Sequence, residues 1–253
     1  MPVQFAIPFA AFIVVASLVG VAVFAASRRR AAQEDELRRM ASARGWTFES
    51  KLEKGYRVHR WSGTTDGISW IAESLRQTSG KNHDRRRRIA RWHGNWSPGI
   101  NGAIVAMGMP KGKEEFGRTL AEGEGFLAAL AKKAAGFAFD KAIDAYFGEA
   151  AGKDVDAGAM HRVATKTPGF VVMTADKDEG ARVLQQGLEQ ALINAGSDKG
   201  SVLSNDDRPW ILLRPKAISI ARMERLRDVN EIESFIRAGV ALTRTSKFGR
   251  PTS

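Results

Sequence analysis

An uninterrupted apolar run near the N-terminus constrains this chain more than any other feature of its sequence. Phe5 to Ala26 carry no charged side chain, and Ser17 is their one polar residue. A helix needs about 20 mostly apolar residues to cross a bilayer core about 30 Å thick, whereas a surface helix of a soluble domain keeps a polar face. The run therefore predicts an N-terminal transmembrane helix that ties the chain to a lipid bilayer. A cleaved signal peptide is the alternative, although such peptides begin with basic residues that Met1 to Gln4 do not supply.

The charges that flank this run predict its orientation. Lys and Arg beside a membrane span favour the cytoplasmic side. Residues 1–4 contain neither, whereas Arg28, Arg29 and Arg30 follow the run closely. We expect the N-terminus outside and Arg28 to Ser253 in the cytoplasm, at the plasma membrane. The formal net charge of +11 favours phosphate-rich partners, so anionic lipid headgroups are a candidate partner.

Behind the anchor, the spacing of apolar residues predicts a folded α+β domain. We assign residues 1–30 to the anchor and its basic flank, 31–45 to a juxtamembrane helix, and 46–253 to a cytoplasmic domain. Residues 46–110 alternate with a period of two between glycines, which is typical of antiparallel strands joined by turns. Helical spacing returns at 114–148. The predicted fold is therefore an N-terminal transmembrane helix followed by an antiparallel β-rich domain with covering helices.

The last third of the chain gives the clearest local signals. Asp176 and Asp228 each precede a Glu by three residues, the spacing of a capping box, so a helix is expected after both. Between these helices, residues 209–222 predict a β-hairpin that turns near residues 214–217. The small, polar stretch at 148–160 leaves a subdivision of the cytoplasmic domain open.

One part of this region resembles a protein family. Phe170-Val171-Val172 is followed by the acidic Asp176 and Asp178-Glu179, by Ala181-Arg182, and then by a Leu-bearing helix and a hairpin. With these features, residues 168–222 resemble the C-terminal segment of an uncharacterised family of bacterial membrane-anchored proteins. The resemblance implies a bacterial protein of the inner membrane with an α+β fold, and it carries no activity.

The catalytic and metal-binding templates find no match in the sequence. The chain has no cysteine, which excludes disulfides and sulfur-ligated zinc, and it contains neither a G-x-S-x-G elbow nor a P-loop. His59 and His93 each lie beside a Trp on a predicted strand and could meet if those strands are neighbours, but two His ligands make a weak metal site. We therefore assign no catalytic residue, cofactor or metal. The expected function is a non-enzymatic module that binds a protein partner or the membrane surface, and an anchored enzyme without a recognisable motif is the alternative.

A basic segment with an aromatic neighbour supplies the candidate site. Arg forks bind phosphate bidentately and Trp faces stack on bases. We expect contact with the membrane surface or with phosphate from Arg28, Arg29, Arg30, Arg85, Arg86, Arg87, Arg88, Arg91 and Trp92. Nucleic-acid binding through Arg85 to Arg91 is a second alternative. A solvated loop that leads into a strand with core-facing Trp residues would explain the same segment without a ligand.

Overall fold

The computed structural model describes nine parts of the chain. They are residues 6–78, 88–95, 99–109, 139–148, 155–156, 159–197, 208–223, 226 and 228–245, and for residues 6–18 and 194–197 the description covers the backbone alone. The chain divides into two compact units, residues 1–48 and 49–253. Most of the predicted helical region 114–148 lies outside the described residues.

The first unit is built on one long helix, α1 (Ala6–Ala43), which continues from the apolar run into the predicted juxtamembrane helix. Gly45 ends it as expected: its φ is 69°, and the Trp46 N–H donates to the Ala41 carbonyl at 2.8 Å, which satisfies a C-terminal carbonyl. Within the part of the chain that the structure describes, no helix is long and apolar enough to cross a membrane. The transmembrane span stays a prediction from the sequence.

A nine-stranded antiparallel sheet forms the framework of the fold and confirms the α+β class. In chain order the strands are β1 (Thr47–Glu53), β2 (Tyr56–Thr65), β3 (Ile68–Gln77), β4 (Arg88–Asn95), β5 (Ile104–Gly108), β6 (His161–Val163), β7 (Phe170–Thr174), β8 (Trp210–Arg214) and β9 (Ala217–Arg222). Their spatial order is β1-β2-β3-β4-β9-β8-β5-β7-β6. The predicted hairpin is confirmed, because β8 and β9 pair directly on either side of the Pro215–Lys216 turn.

The described helices that follow are α2 (residues 139–147), α3 (Lys177–Val183), α4 (Glu189–Ser197) and α5 (Val229–Thr245). Both predicted N-caps are confirmed. The Asp176 carboxylate accepts from the N–H groups of Asp178 and Glu179 at 2.9 and 3.1 Å. The Asp228 carboxylate accepts from the Glu231 N–H at 2.9 Å. A wider turn at Leu184–Leu188 joins α3 to α4, where Gly187 has a φ of 131° that favours glycine.

Strand alternation gives the sheet two chemically different faces. One, the helix-covered face, carries Trp92, and α5 packs against it so closely that a Cβ at Gly239 would overlap the indole ring. On the same face, a Cβ at Gly180 of α3 would lie 2.6 Å from Thr174 at the end of β7. The buried apolar side chains of α5, Phe235 among them, complete this half of the core.

The opposite face, called here the polar face, has charged and polar side chains between two apolar clusters. One cluster consists of Val58, Leu75 and Ile89 from the strands β2, β3 and β4. The other lies toward the far end of the sheet and joins Val105 and Leu212 to Ile143 of α2.

Candidate ligand-binding site

A row of alternating charges crosses three neighbouring strands of the polar face. The register places Arg60 of β2 opposite Glu73 of β3, and Glu73 opposite Arg91 of β4. Arg60 Nε donates to Glu73 Oε1 at 2.8 Å, and Nη2 lies 2.6 Å from the same oxygen. Both side chains are largely buried, with 27% and 18% of their surface exposed. The row therefore fixes β2 to β3 by charge on a part of the sheet where apolar packing is interrupted.

Arg91 continues this row but turns its guanidinium to a helix end. Nε donates to the Tyr146 carbonyl at 2.6 Å and Nη2 to the Ala145 carbonyl at 2.9 Å. These carbonyls belong to the last turn of α2, where a cation also interacts favourably with the helix dipole. Burial lowers the pKa of Arg91, and the Glu73 charge opposes that shift. The side chain thus ties α2 to the sheet.

Two of the predicted membrane-surface or phosphate contacts, Arg91 and Trp92, are engaged within the second unit. Trp92 is completely buried on the helix-covered face, so its ring offers no stacking surface, and Arg91 is engaged with α2. Arg88 is exposed at the start of β4, and Arg28, Arg29 and Arg30 are exposed on α1. Arg85, Arg86 and Arg87 lie outside the described residues. Contact of the exposed arginines with phosphate stays a prediction.

His59 and His93, which could meet only if their strands were neighbours, do not meet. β3 separates their strands in the sheet. His93 alternates with Trp92 and lies on the polar face, whereas His59 contacts Trp61 edge to face with ring centroids 6.2 Å apart, on the helix-covered side. Among the described residues, no group of three or more His, Asp or Glu side chains is placed to hold a metal ion.

His93 instead has a hydroxyl partner across the sheet. It lies opposite Ser219 of β9, with 2.9 Å between His93 Nδ1 and Ser219 Oγ. Burial lowers the pKa of His93 and the positive charge of Arg214 lowers it further, while Glu73 and Asn95 act in the other direction. The shift favours the neutral ring. An imidazole and a hydroxyl lie next to a cation on this face.

A cleft of about 630 Å³ begins one register step beyond this pair. Asn95, Ala217 and Arg214 lie side by side across β4, β9 and β8, and all three line it. Lys216 from the hairpin turn and the loop residue Asn101 line it too, as do Asp156 and the apolar Ala103, Met160 and Ala175. Two cations, one carboxylate and two amides therefore share the lining with apolar side chains. The sequence had indicated the Arg214–Lys216 turn but gave no reason to place a site there.

A buried carboxylate holds one wall of the cleft in place. Glu179 accepts from the backbone N–H groups of Asn101 and Gly102 at 2.9 and 3.0 Å, and Arg182 Nη2 lies 3.6 Å from Glu179 Oε1. In a capping box, the Glu179 side chain would accept a hydrogen bond from the Asp176 N–H. That N–H donates to the Thr174 hydroxyl instead. Glu179 therefore fixes the loop that presents Asn101.

The arrangement is suited to holding an anion with hydroxyl groups. Arg and Lys donate charge-assisted hydrogen bonds to phosphate or carboxylate oxygens, while amides and a carboxylate pair with hydroxyls. No protein-family model matches this chain, and searches of curated proteins and of solved structures find no match either. The resemblance of residues 168–222 to a bacterial membrane-anchored family stays a prediction. Fold and site define an α+β domain with a cationic cleft at one end of its antiparallel sheet.

Proposed function

We propose that this chain is a single-pass membrane-anchored module whose cytoplasmic domain binds a negatively charged partner, at the inner membrane of a bacterium. The anchor rests on the sequence from Phe5 to Ala26, and the orientation rests on Arg28, Arg29 and Arg30. The domain acts by binding, and the membrane surface is the partner that its charge favours.

The observation that carries the binding part of this proposal is the cationic cleft. A two-residue turn places Lys216 beside Arg214, and both line the same cavity. Asp156 contributes one opposing charge, so the lining has a net positive charge. Because Arg214 is only partly exposed, its field is screened less than that of a fully solvated cation.

Membrane attachment makes a modest affinity sufficient. A tethered domain meets ligands of its own membrane at a raised effective concentration, which is set by the length and stiffness of its link to the anchor. Anionic lipid headgroups or the charged surface of another membrane protein would then be bound without a tight site. A cleft lined by charged, amide and apolar side chains suits this role.

The anchor is tested by fractionating cells that produce the full-length chain. We expect the protein in the membrane fraction after a carbonate wash, and a variant that lacks residues 5–26 in the soluble fraction. A protease should remove a C-terminal tag only in inverted vesicles, where the cytoplasmic side is exposed. A wild-type chain that is soluble, or a tag cleaved in intact spheroplasts, would contradict the proposal.

The binding part is tested by cross-linking in native membranes, with nuclease treatment before purification. Recovery of lipid alone supports membrane-surface binding, and a stoichiometric protein partner supports an adaptor role. Co-purified nucleic acid that resists nuclease would instead favour the nucleic-acid alternative. The structure disfavours that alternative for two residues, because Arg91 is hydrogen-bonded to α2 and Trp92 is buried.

The hydrogen-bonded His93 and Ser219 favour an anchored enzyme as the second candidate. A hydroxyl next to a neutral imidazole is the beginning of a nucleophile–base arrangement, although Ser219 is only 5% exposed. Treating the full-length protein with a fluorophosphonate probe tests it. Labelling that disappears in Ser219→Ala would support catalysis, and an unlabelled wild type would argue against Ser219 as a nucleophile.

A further inference from the structure

We infer that the cleft binds a small phosphorylated ligand that also carries hydroxyl groups, with its phosphate against Arg214 and Lys216. This inference rests on the proposed function in so far as both place binding in the same cleft. It goes further by naming the chemistry of the ligand. A lipid headgroup and a free phosphate ester share that chemistry, and the experiment below separates them.

The phosphate part follows from how the two cations are held. Arg214 ends β8 and pairs with Ala217 at the start of β9, so its backbone is fixed by the sheet. Pro215 restricts the turn further, because its ring fixes φ near −65°. Lys216 is exposed and able to rotate. A guanidinium on a backbone held by the sheet and an exposed ammonium beside it suit a group with three or four oxygens, which can accept from both at once.

The hydroxyl part follows from the other polar groups of the lining. A bare phosphate would occupy only part of about 630 Å³, a volume in the range of small-molecule sites. It would also face the Asp156 carboxylate, which repels an anion. A ligand with hydroxyls offset from its phosphate would instead donate to Asp156 and exchange hydrogen bonds with the amides of Asn95 and Asn101. The apolar lining residues would contact the carbon skeleton between them.

The neighbouring histidine gives the inference a second, independent readout. The groups that face His93 are Glu73 on β3, Arg214 on β8, Ser219 on β9 and Asn95 on its own strand. A phosphate bound to Arg214 offsets the positive charge that disfavours protonation of the imidazole. Binding should then raise the pKa of His93 and take up a proton, so the affinity rises as the pH falls from 7 toward that pKa.

The test uses the full-length protein in phosphatidylcholine nanodiscs, titrated with glycerol 3-phosphate in a calorimeter. We expect binding that weakens about tenfold or more in Arg214→Gln and in Lys216→Gln, since each removes a charge-assisted hydrogen bond. Lys166→Gln removes an exposed lysine that does not line the cleft and should bind like the wild type. Lys216 is in an exposed turn, so its variant remains informative if Arg214→Gln unfolds.

The two sources of the ligand are separated by changing the disc lipid. If the headgroup is the natural ligand, phosphatidylglycerol in the disc will compete with glycerol 3-phosphate and lower its apparent affinity. An unchanged affinity would point to a free phosphate ester. Repeating the titration in His93→Gln should remove the part of the pH dependence due to that ring, and the titratable phosphate of the ligand accounts for the remainder.

Three results would overturn the inference. They are the absence of binding in both kinds of disc, equal affinity in the wild type and both cleft variants, and inorganic phosphate binding as tightly as glycerol 3-phosphate. Each of these leaves the membrane anchor and the cross-linking result intact, so a failure here is distinguishable from a failure of the proposed function.

Discussion

The two faces of one sheet are stabilised in different ways. On the helix-covered face, Trp92 meets the backbone of α5 at Gly239 without room for a single additional carbon atom, so shape decides the packing. On the polar face, Arg60, Glu73 and Arg91 connect strands and a helix through charges and directed hydrogen bonds. The first face tolerates little change in volume, and the second tolerates little change in hydrogen-bonding geometry.

A binding site is expected on the polar face, where charges and directed hydrogen bonds prevail over close apolar packing. Packing of the kind around Trp92 excludes water and ligands alike. Polar groups that are only partly buried, as Arg214 is, can exchange water for a ligand. The cleft lies at one end of the polar face, where Asn95, Ala217 and Arg214 are neighbours.

The largest effect should come from adding one carbon on the helix-covered face. Gly239→Ala places a Cβ against the rigid Trp92 ring, and we expect a loss of about 3 kcal/mol in the free energy of unfolding even though Ala favours a helix. Chemical unfolding of the full-length protein in detergent measures it. Ala241→Ser on the exposed side of α5 is the matched control. Wild-type stability of Gly239→Ala would show that this face is less tightly packed than described.

A second variant tests the residue that connects the two faces. Glu179→Ala leaves two backbone N–H groups in the cleft wall without their acceptor, and we expect a loss of about 2 kcal/mol. Glu179→Gln keeps one acceptor and should lose less. Asp178→Asn, in the exposed first turn of the same helix, is the control. Because the loop with Asn101 depends on Glu179, glycerol 3-phosphate binding should weaken too, and unchanged binding would separate Glu179 from the site.

Contacts between residues close in the sequence could be predicted, whereas contacts between distant residues could not. The caps at Asp176 and Asp228 and the hairpin at 209–222 were predictable, since each depends on residues within a few positions of one another. The contact between Glu179 and Asn101 spans 78 positions, and no local pattern encodes it. No local pattern in the sequence predicts the strand order either.

The strand order determines which residues line the cleft and whether His59 and His93 can meet. β4 pairs with β9, more than a hundred positions later in the chain, and only that pairing brings His93 to Ser219 and Asn95 to the Arg214 row. Alternation correctly predicted antiparallel strands within residues 46–110. It could not indicate that β3 separates His59 from His93. Local chemistry was predictable, and long-range pairing, which builds the site, was not.

A third variant tests geometry on the polar face. Arg91→Gln removes the hydrogen bonds to the Ala145 and Tyr146 carbonyls, and we expect a loss of about 1.5 kcal/mol with faster hydrogen exchange in α2. Arg91→Lys keeps the charge but cannot donate in the same fork, so it should rescue only part of the loss. Arg88→Gln, exposed on the same strand, is the control. Complete rescue by Lys would show that charge alone suffices.

The smallest effect concerns His93 and sharpens the comparison most. Its pKa lies below the ordinary value because of burial and Arg214, so the unfolded chain takes up this proton first as the pH falls. The contribution of the neutral His93 ring to the free energy of unfolding is therefore fully present above the unfolded pKa of about 6.5, and it is lost as the pH falls below that value.

Titration by NMR should place the pKa of His93 below 6.5. Arg214→Gln should raise that pKa, and His93→Gln should flatten the pH dependence of stability near 6. An unmoved pKa in Arg214→Gln would mean that the guanidinium does not act on this ring, and the link between the polar face and the cleft would then be broken.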